Sequence, residues 1–83
     1  MKLLATLLLS ITFLLASVDI NTATAEDFTT LKGIGTKKAE AIIKYRESIK
    51  CFNSIDELSN IKGIGKATIA KNSNNLELTK CEK

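Results

Sequence analysis

The sequence predicts a small all-α domain in which one two-helix unit is written twice, and three observations predict it. The pentapeptide LKGIG, residues 31–35, returns thirty positions later as IKGIG, residues 61–65. The first residue of each copy has an apolar partner three residues before it, Phe28 with Leu31 and Leu58 with Ile61, the spacing of one helix face. Each copy also precedes a segment of helical periodicity: Ala39, Ile42, Ile43 and Ile49 in the first half, Ala67, Ile69 and Ala70 in the second.

Before the repeat stands MKLLATLLLSITFLLASV, one lysine (Lys2) ahead of an uncharged run from Leu3 to Val18. A membrane span needs roughly 20 apolar residues, so the run is short for one and suits the apolar stretch of a secretory signal. The expectation is a signal peptide over 1–17 and a domain over 18–83. The alternative is an uncleaved anchor. Small residues that can precede a cut occur at Ala16 and Ser17 and again at Ala23 to Ala25, the second place being the better A-x-A match.

The first unit is expected over 24–50. Thr24 is a good N-cap, and Asp27 three residues on approximates a capping box. Phe28 and Leu31 then share a face of a short helix. The glycines of KGIG turn the chain, and TKKAEAIIKYRESIK gives a helix of about 14 residues by its periodicity. Arg46 is the one polar interruption of its apolar face. The second unit, over 54–75, repeats the plan. SIDE, Ser54 to Glu57, reads as a full capping box, and Leu58 and Ile61 take the places of Phe28 and Leu31. CFNS between the units is a connector with Phe52 turned into the core. Asn72, Ser73, Asn74 and Asn75 should fray or shorten the last helix, leaving Leu76 and Leu78 to repack the tail.

Composition excludes more than it assigns. Only Lys2 of the twelve basic residues lies in the leader, so eleven face nine acidic residues, a net charge of +2. That excess neither demands nor excludes nucleic acid, and the position of the lysines decides. There is no histidine and no tryptophan, and the carboxylates are scattered. No Ser/His or Cys/His nucleophile pair can be assembled, and two cysteines make a poor zinc site. The expectation is a non-enzyme with no cofactor, no metal and no small-molecule substrate. Cys51 and Cys81 are the only thiols. If the leader exports the chain they reach an oxidising compartment and can pair; the other state is two free thiols.

The residues Phe28, Leu31, Gly33, Ile34, Gly35 and Ala39 match the helix-hairpin-helix pattern, as do Leu58, Ile61, Gly63, Ile64 and Gly65, with Ile69 at the alanine position. More narrowly, INTATAEDFTTLKGIGTKKAEAIIKYRE followed by F-x-S-I-D-E-L-x-x-I-K-G-I-G resembles the DNA receptor domain of ComEA-type competence proteins, over about residues 20 to 71. The resemblance implies a tandem helix-hairpin-helix domain. It also places the INTA segment inside that domain, which favours cleavage near Ala16 or Ser17. The polar stretch after Lys71 departs from the family, whose last helix continues with apolar residues, and makes the second hairpin the less secure.

Each Gly-Ile-Gly opens a helix whose first N–H groups lack an intrahelical partner, and the helix dipole adds positive potential there. Lys32, Lys37 and Lys38 surround the first site, built on Gly33, Ile34 and Gly35. Lys62 and Lys66 flank the second, built on Gly63, Ile64 and Gly65. The resemblance implies that two such sites grip phosphates of double-stranded DNA across the minor groove, largely without reading sequence, in line with the absence of any base code in phosphate contacts. It further implies a role in DNA uptake, with uptake-pilus or inner-membrane channel components as partners; the leader, if cleaved, makes the protein periplasmic, and if retained, anchors it to the cytoplasmic membrane facing outward. The alternative is a helix-hairpin-helix scaffold or protein-interaction module without DNA binding, the lysines then being a solvated face.

Overall fold

The computed structural model describes residues 17–82. The expected leader therefore lies outside the described residues except for Ser17. In chain order the elements are β1 (Val18–Asp19), α1 (Ala25–Phe28), α2 (Thr36–Ile49), a 3₁₀ segment Ile55–Asn60, α3 (Lys66–Lys71), a 3₁₀ turn Ser73–Asn75, and β2 (Leu76–Glu77). Helical elements carry the two repeated units. The two-residue strands are an addition the sequence did not predict, pairing in parallel with Val18 opposite Leu76 and Asp19 opposite Glu77.

The first unit starts on a complete capping box. The Thr24 hydroxyl accepts the Asp27 N–H at 3.1 Å, and the Asp27 carboxylate accepts the Thr24 N–H at 3.0 Å, which satisfies two donors of the helix start. The helix stops after one turn, where the Thr29 and Thr30 hydroxyls bond back to the carbonyls of Glu26 and Asp27. Such back-bonding competes with helix continuation. Phe28 and Leu31 are buried as expected.

The second unit starts differently. Ser54 makes no side-chain cap bond, and Ile55–Asn60 winds as a 3₁₀ helix. The Glu57 N–H, which a capping box would give to the Ser54 hydroxyl, goes to the Ser54 carbonyl at 3.2 Å. The Glu57 carboxylate accepts instead from the Asn53 N–H. The tighter i+3 winding thus uses the donor that the box requires. Leu58 and Ile61 still enter the core in the places of Phe28 and Leu31.

One core joins the two units. Phe28, Phe52, Ile20 and Ile42 are its largest fully buried apolar side chains, with Ile34, Ile64, Ala39 and Ile69 beside them. Arg46, the polar interruption of α2, has a task there. Its Nη1 donates to the carbonyls of Ile20 and Ala23 at 3.0 and 2.9 Å, and its guanidinium lies 6.0 Å from the centroid of the Phe28 ring. The INTA segment is thereby fastened to α2. Asn21 fastens it again, donating to the carbonyls of Phe52 and Thr79 and accepting the Phe52 N–H at 2.7 Å. A cut after Ala25 would remove Val18, Ile20 and Ala23 from the core along with β1 and both acceptors of Arg46.

α3 ends at Lys71, shorter than α2 as the polar stretch suggests. Asn72, however, is not frayed. It is 2% exposed, the one buried polar residue among those described. Leu76 packs into the core through β2, and Leu78 lies against it. The tail then closes on the connector through a Cys51–Cys81 disulfide with Cα atoms 5.5 Å apart.

Candidate nucleic-acid interface

The two repeated pentapeptides fold into near-copies of one turn. Gly33 and Gly63 have φ of +79° and +95°, a region in which any residue with a Cβ is strained. The Ile34 and Ile64 N–H groups close the turns on the carbonyls of Leu31 and Ile61, at 3.2 and 3.0 Å. Both isoleucine side chains point inward, 5% and 3% exposed. Ile34 and Ile64 therefore offer a ligand only main-chain atoms, and their side chains belong to the core.

Gly35 and Gly65 are glycine for another reason. They are the N-caps of α2 and α3, with φ of −97° and −104°, values open to any residue. A Cβ built on either would meet nothing within 4 Å. Neither the backbone angle nor packing demands glycine. A serine, aspartate or asparagine at an N-cap would cover the first helical amides with its own oxygen. Glycine leaves them uncovered, and neither helix start has a side-chain cap bond. Among these amides are those of Thr36 and Lys37 in the first unit and Lys66 and Ala67 in the second. The 14-residue α2 adds its dipole to this site. The six-residue α3 adds less.

Lys32, Lys37, Lys62 and Lys66 are exposed around these two starts. Lys38 differs. It is half-buried, donates through Nζ to the Gly33 carbonyl at 3.4 Å, and runs its stem past Gly63, where an added Cβ would sit 3.3 Å from Cε. A residue of the first unit thus braces the second turn. The reciprocal brace comes from the second unit: Thr68 Cγ2 would lie 3.8 Å from a Cβ on Gly33. The two lysine-glycine clusters predicted from the repeat are therefore brought side by side, with Lys38 between them.

Asn72 completes the arrangement. Its Oδ1 accepts the Lys32 N–H at 2.9 Å, and its Nδ2 donates to the Lys32 carbonyl at 3.0 Å and to the Thr68 carbonyl at 2.9 Å. In the sequence this residue reads only as a helix breaker. The signal that could have found it was the repeat itself, since the thirty-residue offset maps Asn72 onto Ile42, a core position. Among the described residues, no buried side-chain polar atom lacks a partner, and no group of three His, Cys, Asp or Glu is placed to hold a metal ion.

Comparison with known proteins agrees with this geometry. Residues 16–77 match the family model described as the helix-hairpin-helix motif. The chain is 52% identical over 56 residues to an uncharacterized protein of Haemophilus influenzae, covering 66% of this chain and 50% of that one. It is 45% identical over 56 residues to ComE operon protein 1 of Bacillus subtilis, covering 68% of this chain and 27% of that one. It is also 40% identical over 48 residues to the human endonuclease/exonuclease/phosphatase family domain-containing protein 1, there covering 58% of this chain and 8% of the relative. The chain thus matches half or less of the length of these curated relatives. Two glycine hairpins sharing one core, and a family match spanning both, make this chain a member of the helix-hairpin-helix family, with a domain of the ComEA type.

Proposed function

We propose that the protein is an exported, non-sequence-specific binder of double-stranded DNA that acts in DNA uptake, holding phosphates at its two Gly-Ile-Gly hairpins. The family match and the likeness to ComE operon protein 1 point to DNA binding in competence. The observation that carries the reading is glycine at Gly35 and Gly65, where the fold requires none. An uncovered helix start with exposed lysines beside it is an anion site. Two of them held side by side on one core suit a ligand with regularly spaced anions. Main-chain amides and lysines contact phosphates and carry no base code, so binding is indifferent to sequence.

The protein is not an enzyme in this reading, and it meets DNA in the periplasm, or on the outer side of the cytoplasmic membrane if the leader is retained. Uptake-pilus and inner-membrane channel components are the partners such a role implies. No helix of the described residues is long and apolar enough to cross a membrane.

An anisotropy titration of the purified protein with two unrelated duplexes, repeated across a range of salt, tests the proposal. Nonspecific binding has a Kd of about 10⁻⁴–10⁻⁶ M at physiological salt, and each phosphate neutralised adds roughly 0.9 to the log–log salt slope. Equal affinities for the two duplexes and a slope of several units are expected. A strong preference for one duplex, a flat salt response or no binding at all would overturn the proposal, the last leaving the scaffold role.

A further inference from the structure

The hairpins do not exhaust the basic surface. Two open concavities of about 380 and 360 Å³ lie along α2, and both are lined by Ala41 and Lys44, so they form one furrow. It begins at Lys37, in the first turn of α2, and passes Lys44 to reach Ser48. Along its inner stretch the opposite wall belongs to the second unit, where Asn60, Ile61 and Lys62 line it. Tyr45 fixes that wall, its hydroxyl accepting from Asn60 Nδ2 at 3.1 Å and its ring stacked on Phe52 at 5.9 Å between centroids. The furrow is therefore a feature of the joined units and not of a single helix face.

Its chemistry is one-sided. Lys37, Lys44 and Lys62 border it against a single carboxylate, Glu40. Lys37 and Lys44 stand seven residues apart, about 10 Å along the helix, equal to the axial rise of about three base pairs of duplex DNA. Lys37 and Lys62 also belong to the two hairpin clusters, so the furrow is continuous with the surface assigned to DNA. Lys44 has no place in either hairpin.

We infer that this furrow is a third phosphate-binding position, which receives the sugar-phosphate backbone of bound DNA beyond the hairpins, with Lys44 as its central cation. The inference rests on the DNA-binding reading above. Ala41, Ile61 and the Tyr45 ring give the furrow an apolar floor against which a deoxyribose can pack, while lysines on either side reach the flanking phosphates. Its shallow shape offers no closed pocket for an anchoring side chain, and its continuity with both hairpins favours the strand they hold over an acidic protein segment.

Lys44→Gln tests it by removing one exposed charge. The control is Lys80→Gln, because Lys80 precedes the Cys81 that is bonded to Cys51 at the opposite end of α2 from the hairpins. Duplex titrations across salt should show Lys44→Gln binding several-fold more weakly, with the slope reduced by about 0.9. Lys44→Arg should keep the wild-type slope, and Lys80→Gln should match wild type. Tyr45 is the only tyrosine in the chain, so its ring resonances give a second readout and should shift when duplex is added. Wild-type binding with Lys44→Gln indistinguishable from Lys80→Gln, or with Tyr45 unmoved, overturns the third position and leaves the hairpins standing. Failure of the wild-type protein to bind any duplex overturns the parent reading instead.

Discussion

The Asn72 carboxamide pairs with both main-chain groups of Lys32, taking the N–H at 2.9 Å and giving to the carbonyl at 3.0 Å. A residue of the second unit thereby fixes the turn of the first, while Ile42, at the equivalent place in the first unit, has only apolar reach. The pairing is asymmetric, and it predicts an asymmetric defect. Asn72→Leu supplies an apolar side chain of the kind Ile42 has, but takes these partners from the part-buried N–H and carbonyl of Lys32, at a cost of about 0.5–1.5 kcal/mol for each bond lost. In a domain this small, each kcal/mol lowers Tm by roughly 4–8 °C. Amide exchange followed by NMR should quicken at Lys32 far more than at Lys62. Equal change at the two lysines would contradict the clamp.

The four glycines divide into two pairs with opposite expectations. Gly33→Ala and Gly63→Ala force a Cβ into positive φ and should each destabilise by about 1–2 kcal/mol, read as a lower Tm. Gly35→Ser should leave stability, read from Tm, within about 1 kcal/mol of wild type or raise it, because serine is a good N-cap. The same serine oxygen covers the amides proposed to hold a phosphate, so duplex affinity should fall. Stable protein with undiminished binding would remove the argument for the helix starts.

Charge removal separates the hairpins. Lys38 is a poor probe, because it braces both turns, and Lys32 with Lys37 is the cleaner pair. Lys32→Ala with Lys37→Ala, and Lys62→Ala with Lys66→Ala, should each reduce the salt slope by up to about 1.8, two phosphates' worth. The first pair should cost more affinity, since α2 is the longer helix. Titrations showing equal losses would refute the ranking.

The disulfide closes a loop with a sequence separation of 30, for which chain entropy gives about 3–4 kcal/mol. That is a large share of the stability of so small a domain. Reduction should lower Tm by more than about 10 °C. A midpoint unchanged by reductant would show that the tail is held by Asn21 and the strands alone.

Export is expected to leave a chain beginning near Ser17 or Val18, which intact-mass measurement of a periplasmic extract checks. A species beginning at Glu26 would lack β1, Ile20 and the acceptors of Arg46, and should be unfolded or strongly destabilised. Retention of Met1 would instead indicate the anchored form.

The repeat made the helical fold, the two hairpins and most of the core legible, because local rules suffice for them. Phe28, Leu31, Leu58 and Ile61 are where their spacing puts them. Thr24 formed the box that its sequence only approximated. Ser54, with the better motif, did not, because the 3₁₀ winding of 55–60 redirected the Glu57 N–H, and winding is settled by packing rather than by a four-residue signature. The long-range polar bonds were hidden. Nothing near Asn21, Arg46 or Asn72 in sequence says that each will seek main-chain groups 23 to 58 residues away. The sequence singled out the lysines beside the hairpins and left Lys44 aside; only the fold shows that Lys38 of that set braces both turns and that Lys44 lines a furrow.

The parallel pairing of β1 with β2, reinforced by Asn21 and the disulfide, gathers the start and end of the domain toward the C-terminal half of α2. Both hairpins lie at the other end of that helix, which is about 20 Å long. Any tether attached ahead of residue 17 or behind residue 82 therefore hangs from the rear of the domain. Tension along it is carried by the clasp and the base of α2, while the hairpin end of the domain lies away from the point of attachment.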